Sequence, residues 1–543
     1  MNVPLFSRLS TLCSSTCDPL GSSPSATPPP DMQGQRKSRE KTVKKRLATF
    51  VTMLSLCAPL AFPIGLAAQE QEEKKEQKAN HHHYKVIDLG TLGGPQSVVS
   101  GFLTHLLNNR GTVAGCADTP TADPNFPDSN FQGFSPRTPD PFVFHAFRWQ
   151  DGLMTDLGAL PGINNACPIW MSENGMIAGG SENGLVDPIT GMPESRAILW
   201  KDGGVIDLGT LGGTESVALA MNNRGQVVGA AANTIPDPFS SFGFPDQTRA
   251  FLWQSGVMED LGTLGGPDAF AASINRAGQI AGCSYSNSTP NSITGLPTEA
   301  PFLWKDGKMI NLGTLGGTLG CASIINNHGQ VMGASNLEGD IVSHGFFWER
   351  GELTDLGSLG GNVSPEWLDD DGEVVGGASL PDTIQHAFFW KDGRMTDIGT
   401  LSGDVTSNAI VVNEGRVVGV SFDASGNIHS FLWENGGPMV DLSTLIPPNS
   451  VLQPVVPFAI NERAEIAGTG LLPNGDFHAF LLIPCDEGES DAEGCGSKPV
   501  EATTEAPVQP PQIAQVPAAR RTQLSPAEMK DQIRALLTKR NRR

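Results

Sequence analysis

The residues with the most obvious chemical potential in this 543-residue chain are histidines and aspartates that recur at fixed positions. Histidine can ligate a metal ion, and a carboxylate can act as a general acid. Repetition argues against both roles, because equivalent residues in successive units lie too far apart to share one ion at bonds of about 2 Å. One copy of the aspartate is moreover Asn311. We therefore predict that the histidines pack structurally and that the aspartates cap turns by accepting backbone N–H bonds. The five histidines that share one position are His145, His344, His386, His429 and His478.

Two further motifs resemble ligand sites and lack the features such sites need. Thr-Leu-Gly-Gly recurs at Thr91, Thr210, Thr263 and Thr314, but no lysine or helix follows it as in a phosphate-binding loop. The acidic run from Asp369 to Glu373 offers few of the six to eight oxygens that calcium takes, so a solvated hairpin turn is favoured. A nucleophile elbow and a serine, histidine and carboxylate combination are both missing. The sequence thus predicts no catalytic residue, cofactor or metal site.

Six cysteines are candidates for disulfide bonds. Cys116 and Cys283 each lie five residues after the turn glycine of their unit, and Cys167 and Cys321 each lie eight before theirs. These positions predict that Cys116 pairs with Cys167 and Cys283 with Cys321, with buried free thiols as the alternative. A third bond, between Cys485 and Cys495 across an acidic loop, is also a candidate. Disulfides would fit an exported protein.

One stretch recurs through most of the chain, most clearly as AFLWQSGVMEDLGTLGGPDAFAASINRAGQIAGC from Ala250 to Cys283. An aromatic box, a DLGTLGG box and an INxxGQVVG box follow each other eight times, at a spacing that falls from about fifty residues to the low forties, and such periods are typical of four short strands per unit. Alternating residues and Asn-x-x-Gly turns indicate hairpins. The pattern predicts an all-β fold, an eight-bladed β-propeller of four-stranded antiparallel blades.

The two ends of the repeat region predict how the ring closes. The region opens with a lone fourth strand, Tyr84 to Leu89, and ends with the first three strands of a unit at Ile483. The N-terminal strand would therefore complete the last blade. An open solenoid would instead need polar caps at both ends.

Charge limits the possible partners. The chain has a formal net charge of −22, and residues 84–483 contain 16 Lys/Arg against 42 Asp/Glu. Such a surface repels phosphate backbones, so we expect no nucleic-acid partner.

The segments on either side of the repeats predict export. Lys44, Lys45 and Arg46 precede an apolar run from Leu47 to Phe62, and a membrane anchor is less favoured because this run is short and ends beside Pro63. We interpret residues 1–68 as a signal peptide with a long leader or a misassigned start, 69–83 as a flexible spacer, 84–484 as the propeller and 485–523 as a disordered linker. The expected location is secreted, periplasmic or at the cell surface.

Residues 524–543 predict a basic amphipathic helix. Ser525 is its N-cap, with Pro526 and Glu528 in the first turn. Its apolar stripe is Met529, Ile533, Leu536 and Leu537. The helix suits an acidic partner, the chain's own acidic ring or weak contact with the cell envelope. A frayed tail is the alternative, because isolated short helices are marginal in water.

The repeated boxes are similar to those of the bacterial family described as probable extracellular repeat proteins and named HAF. His145-Ala146-Phe147, His386-Ala387-Phe388 and His478-Ala479-Phe480 match the name, and variants occupy the other units. The resemblance covers about four hundred residues and implies export and a repeat fold. It brings no activity, catalytic residue or cofactor.

The loops after the second strand are long in the first four units and carry a candidate binding face. Its residues are Phe131, Phe134, Phe142, Phe239, Phe242 and Phe244. Loops on a rigid scaffold often bind ligands, although these rings would equally pad the rim if they turn inward. The expected function is an exported, non-enzymatic binding or scaffold propeller that recognises a protein or carbohydrate. The alternative is a lyase or glycosidase with two carboxylates about 5 to 10 Å apart at the channel mouth.

Overall fold

The computed structural model describes residues 83–485 except 100, 102, 127–139, 188–190, 192, 238, 242–243, 383 and 435. The predicted signal peptide, linker and basic helix lie outside the described residues, as does the spacer up to residue 82. The described chain folds into eight four-stranded antiparallel sheets arranged as the blades of a propeller. This confirms the predicted fold.

Each blade has an inner, second, third and outer strand, and blades I to VIII follow chain order. The inner strands are β2 (Ser97–Val98), β6 (Ala166–Met171), β10 (Ser216–Met221), β14 (Ala269–Ile274), β18 (Gly316–Ile325), β22 (Val363–Leu368), β26 (Asp404–Asn413) and β30 (Gln453–Ile460). The second strands are β3 (Val113–Ala122), β7 (Ile177–Val186), β11 (Val227–Pro236), β15 (Ile280–Pro290), β19 (Val331–Leu337), β23 (Val374–Ser379), β27 (Arg416–Asp423) and β31 (Ile466–Leu471).

The third strands contain the aromatic box. They are β4 (Phe142–Gln150), β8 (Pro193–Lys201), β12 (Asp246–Gln254), β16 (Pro297–Lys305), β20 (Ser343–Glu349), β24 (Gln385–Lys391), β28 (Ile428–Glu434) and β32 (Phe477–Pro484). The outer strands are β5 (Leu153–Gly158), β9 (Gly204–Asp207), β13 (Val257–Asp260), β17 (Lys308–Asn311), β21 (Glu352–Asp355), β25 (Arg394–Gly399), β29 (Val440–Asp441) and β1 (Tyr84–Asp88). A short 3-10 helix, Leu442–Thr444, follows β29.

The core of each blade is built on the third residue of the aromatic box. In blades I and IV this is Phe147 and Phe302, both fully buried. Each ring lies over a glycine of the second strand, and a Cβ atom on Gly115 or Gly282 would come within 2.7 and 2.8 Å of the respective ring. The glycine of the third box is therefore required for this approach. Full burial of such a ring stabilises the blade by about 1.5 to 3 kcal/mol.

The strand directions give the ring two different faces. We call the hairpin face the one that carries the turns between inner and second strands and the hairpins between third and outer strands. The loop face carries the long loops after the second strands and the DLGTLGG connections between blades. Sites on one face therefore combine residues from all eight blades.

The ring closes as the ends of the repeat region predict. Strand β1 pairs with β32, with Tyr84 opposite Pro484 and Ile87 opposite Leu481. The seam is reinforced at the loop face, where Nδ1 of His478 lies 2.8 Å from a carboxylate oxygen of Asp88. Burial alone would raise the pKa of Asp88, but the hydrogen bonds from His478 and the Gly90 amide outweigh it, so this pKa is lowered.

The recurrent histidines and aspartates form hydrogen bonds within the blades, and the aspartates cap turns as the sequence predicts. The outer-strand aspartate or asparagine accepts an amide hydrogen bond two residues on in all eight blades, for example 2.7 Å from the Gly158 amide to Asp156 and 2.8 Å from the Gly313 amide to Asn311. The histidine of the aromatic box then bonds this carboxylate across the blade, at 3.0 Å between His145 and Asp156. His429 differs, because it bonds Asp404 of the inner strand.

Two disulfides join neighbouring blades at the loop face. Cys116 bonds Cys167 between blades I and II, and Cys283 bonds Cys321 between blades IV and V, with Cα atoms 5.4 and 4.7 Å apart. Both pairings confirm the sequence prediction. Cys485 is also disulfide-bonded, while its predicted partner Cys495 lies outside the described residues.

The seam between β1 and β32 should be the weakest link of the ring. We expect Ile87→Pro, which removes the backbone donor opposite Leu481, to lower the melting temperature more than Ile206→Pro, its matched control at the same outer-strand position opposite Leu199. Each change removes one ladder hydrogen bond of about 1 kcal/mol, but only Ile87→Pro loosens the contact between chain ends. Thermal unfolding and hydrogen exchange of β32 measure the difference. Equal losses would show that closure adds no special stability.

Candidate functional site

A belt of turn residues runs around the channel at the hairpin face. The asparagine of the INxxG box uses its side-chain oxygen to accept amides of its own turn, as Asn326 does from Gln330 at 3.0 Å. Its Nδ2 donates to the main-chain oxygen of the next blade's belt residue: Asn222 to Asn275 at 3.1 Å, Asn275 to Asn326 at 3.0 Å, Asn326 to Asp369 at 2.9 Å and Asn461 to Asn108 at 3.0 Å. The last bond joins blade VIII to blade I. The belt thus closes the ring a second time.

In each blade, the residue that follows the belt asparagine or its equivalent lies at the rim of the channel. These residues are Asn109, Glu173, Asn223, Arg276, Asn327, Asp370, Glu414 and Glu462. Their main-chain amides also bond across blades. The Asn109 amide donates to the Glu173 carboxylate at 3.0 Å, and the Glu462 amide donates to the side-chain oxygen of Asn109 at 3.2 Å. The rim is therefore held in place by its neighbours while its side chains differ from blade to blade.

The rim surrounds a cavity of about 270 Å³ at the channel mouth. Its floor consists of three aromatic rings. The ring centroids of His105 and Trp170 lie 5.3 Å apart, those of His105 and Trp367 6.4 Å, and those of Trp170 and Trp367 6.3 Å, all in stacked orientation. Trp170 belongs to blade II and Trp367 to blade VI, four blades apart in a ring of eight. The rings therefore meet across the channel and close it below the mouth.

His105 reaches this position because blade I contains an insertion. Val98 and Leu107 are nine residues apart, whereas the equivalent Cys167 and Met171 are four apart, so the inner segment of blade I has five extra residues. The inserted chain pairs in parallel with Trp170. Nδ1 of His105 lies 2.7 Å from the main-chain oxygen of Met171. Since a carbonyl oxygen only accepts, Nδ1 carries the proton.

The cavity mouth is strongly acidic. The side chains of Asp370, Asp371, Glu414 and Glu462 are exposed there, and they come from blades VI, VII and VIII. Glu173 is half-buried, with Oε1 3.7 Å from Nε2 of His105. Among the described residues that line the cavity, Arg276 is the one guanidinium. The site therefore offers carboxylates above an aromatic floor.

Asp369 replaces the belt asparagine in blade VI and is buried. Burial is the main cause that raises its pKa to about 8, and the nearby charges of Glu373 and Asp371 add to it, against the opposing hydrogen bond from the Glu373 amide. This raised pKa favours the protonated carboxyl, whose shape resembles the asparagine whose place it takes. Asp369 is among the residues that line the cavity, and its Oδ1 accepts the Glu373 amide of its own turn at 2.9 Å.

The loop face places the predicted phenylalanines differently. Phe239 is 37% exposed and Phe142 is half-buried, but Phe244 is only 3% exposed and belongs to the same buried cluster as Phe270. The expectation that Phe244 contributes to an exposed binding face is wrong, because its ring is buried in the hydrophobic core. Phe131, Phe134 and Phe242 lie outside the described residues.

The loop face also contains buried carboxylates that sequence reasoning missed. Burial raises the pKa of Glu182, Glu215 and Asp268 to about 7 each. Glu215 accepts the Ser195 amide at 2.8 Å and Asp268 the Thr248 amide at 3.0 Å. Each of these bonds ties an inner strand to the start of the third strand in the preceding blade, so these two acids join blades.

The aromatic floor was also missed, although the sequence contained a signal for it. Seven of the nine tryptophans belong to the aromatic box, and Trp170 and Trp367 are the two that do not. They occupy the same repeat position, which is the second-last residue of the inner strand. Trp170 lies opposite Ala178 and Trp367 opposite Val375 of the second strand. Elsewhere this position holds residues such as Ala220 and Ser273.

Within residues 83–485 and outside the gaps given above, no group of three or more histidine, cysteine or acidic side chains is arranged to hold a metal ion. None of the helices in that same part has the length and apolarity to span a membrane.

Comparisons with known proteins give distant structural likenesses only. No family model matches the chain, and no curated protein matches it. Acylaminoacyl peptidase of Pyrococcus horikoshii shares 14% identity at a TM-score of 0.37, covering 69% of this chain and 57% of the peptidase. A puromycin-hydrolyzing peptidase of Mycobacterium tuberculosis gives 11% identity, a TM-score of 0.37, and 73% and 61% coverage. A protein of unknown function from Dyadobacter fermentans shares 10% identity at a TM-score of 0.32, covering 74% of this chain and 99% of that protein.

The chain spans about three fifths of the length of the peptidase structures. At these TM-scores the likenesses assign no activity. The fold rests on the strand pairing of this chain itself.

The raised pKa of Asp369 gives a pH prediction. Its pKa is 3.8 before folding and about 8 in the fold, so its contribution to stability is intact below pH 3.8 and is lost as pH rises towards 8. We expect Asp369→Asn to be about 2 to 4 kcal/mol more stable than wild type at pH 8, and equally stable near pH 4. Denaturant unfolding across this range measures it. Asp202→Asn, at an exposed hairpin turn of blade II, is the control. A benefit of Asp369→Asn that does not grow with pH would contradict the assignment.

Proposed function

We propose that this protein is an exported, non-enzymatic binding propeller that takes a cationic part of a protein partner into the cavity at its hairpin face. The observation that carries the proposal is the combination of an aromatic floor with an acidic rim. Indole faces attract cations by about 0.5 to 2 kcal/mol, and arginine is the cation found most often in such contacts. Carboxylates add charge-assisted hydrogen bonds to the same group.

The shape of the site supports binding rather than passage or catalysis. Trp170, Trp367 and His105 close the channel below the mouth, so a ligand enters from the hairpin face and leaves the same way. Among the described carboxyl groups that line the cavity, Asp369 is the one with a raised pKa, and it accepts a hydrogen bond within its own turn. This arrangement favours a binding site over the lyase or glycosidase alternative.

The charge of the site favours a protein ligand over a neutral carbohydrate. Both would gain from contact with the tryptophan rings, but only a cationic side chain gains from the excess of carboxylates at Asp370, Glu414 and Glu462. A lysine or arginine side chain is small enough for the cavity.

The two inter-blade disulfides support the location. Disulfides persist in oxidising environments, such as the periplasm or the cell exterior. The chain's place in the HAF family, the signal peptide and the choice between periplasm and medium stay predictions from the sequence.

The proposal is tested by titrating the full chain with a terminally blocked arginine peptide flanked by glycines, and with the same peptide containing neutral citrulline. Calorimetry should show binding of the arginine peptide alone, weakened by added salt. Replacing Asp371, Glu414 and Glu462 by Asn, Gln and Gln should lower its affinity about tenfold, since each exposed charge contributes about 0.2 to 1 kcal/mol.

The matched control removes three exposed carboxylates elsewhere on the hairpin face. Asp202, Asp306 and Asp392 lie at hairpin turns with φ near +50°, which asparagine also adopts. Their change to Asn should leave the affinity nearly unchanged. Equal losses in both triple variants, or equal binding of the citrulline peptide, would overturn the proposed function.

A further inference from the structure

We propose that the basic segment 524–543 of this same chain docks on the acidic cavity mouth and competes there with external cationic ligands. This inference rests on the proposed function, because it uses the same cavity. It assigns the cavity an intramolecular occupant and therefore a means of regulation.

The position at which the described chain ends supports this occupant. Strand β32 runs from the loop face to the hairpin face and ends at Pro484. The amide of Cys485 then donates to the main-chain oxygen of His83 at 2.8 Å, beside the start of β1. Residues from 486 onward therefore begin on the face that contains the cavity. A segment that began on the loop face would first have to pass around the rim of the ring.

Charge complementarity identifies the segment. Residues 524–543 contain six Lys/Arg against two Asp/Glu, and four of the six are Lys539, Arg540, Arg542 and Arg543. The propeller has the opposite balance, with 16 basic against 42 acidic residues between 84 and 483. At the cavity mouth the exposed carboxylates of three successive blades are combined with the tryptophan floor. Arginine side chains fit both features, because guanidinium pairs with carboxylates and stacks on aromatic faces.

The length of the intervening chain is sufficient. Residues 486–523 number 38, and a random coil of 38 residues would span roughly 35 Å on average. The third strand of a blade lies two strand spacings, about 10 Å, outside the inner strand. The segment can therefore reach the channel mouth of its own ring. A tether of this kind holds its end at an effective concentration on the order of millimolar, so even weak docking competes with a dilute partner.

The experiment compares the full chain with a variant in which Lys539, Arg540, Arg542 and Arg543 are all changed to Gln. The probe is the blocked arginine peptide, measured by calorimetry at low salt. We expect the neutralised segment to raise the peptide affinity about fivefold, because the mouth is no longer occupied in cis. In the background of the Asp371, Glu414 and Glu462 triple variant, the same four changes should have almost no effect.

A matched control separates docking from a general change of net charge. Lys201, Lys305, Lys308 and Arg394 are exposed on the outer hairpins of the same face, and changing them to Gln removes the same four charges. This control should leave the peptide affinity unchanged. If it raises the affinity as much as the segment variant does, long-range charge explains the effect and docking is wrong.

The remaining outcomes are distinguishable. If the peptide binds wild type and the neutralised segment variant equally well, the docking proposal is overturned while the proposed function stands. If the peptide binds neither, the proposed function fails and docking fails with it. A second measurement uses vesicles of phosphatidylglycerol and phosphatidylcholine in equal parts. Should the four changes abolish vesicle binding without changing peptide affinity, the segment contacts lipid and not the cavity.

Discussion

Closure of the ring is the constraint on which the rest of this structure depends. Eight sheets with short edges form a stable circle only if neighbouring blades hold one another. Belt asparagines bond across four blade junctions at the hairpin face, and the bond from Asn461 to Asn108 spans 353 residues of sequence. Strand β1 closes the circle at the outer edge of blade VIII. Closure also creates the channel, and hence the cavity.

The channel shows how a repeated scaffold becomes a specific site. The belt positions are nearly uniform because they hold the ring together, whereas the following positions face the mouth and vary from asparagine to arginine, aspartate and glutamate. Two tryptophans and an inserted histidine then replace small or aliphatic residues and fill the axis. Specificity thus comes from departures from the repeat, while stability comes from the repeat itself.

The same division explains what the sequence predicts. Blade number, strand order, closure and two disulfides follow from the three boxes, because repetition turns a local pattern into a global one. The bonds that asparagines such as Asn222 and Asn275 make to the next blade do not follow from the boxes, since each bond joins residues about fifty positions apart. Neither does the burial of Phe244, because the composition of a loop does not fix which way its side chains turn. Trp170 and Trp367 meet only because blades II and VI face each other.

The most direct test of the account is an experimental structure of the propeller with the arginine peptide bound. The account predicts the guanidinium above the rings of Trp170 and Trp367, between the carboxylates of blades VI to VIII, with the channel closed beneath it. A peptide bound among the long loops of the opposite face, or a channel open from end to end, would contradict it.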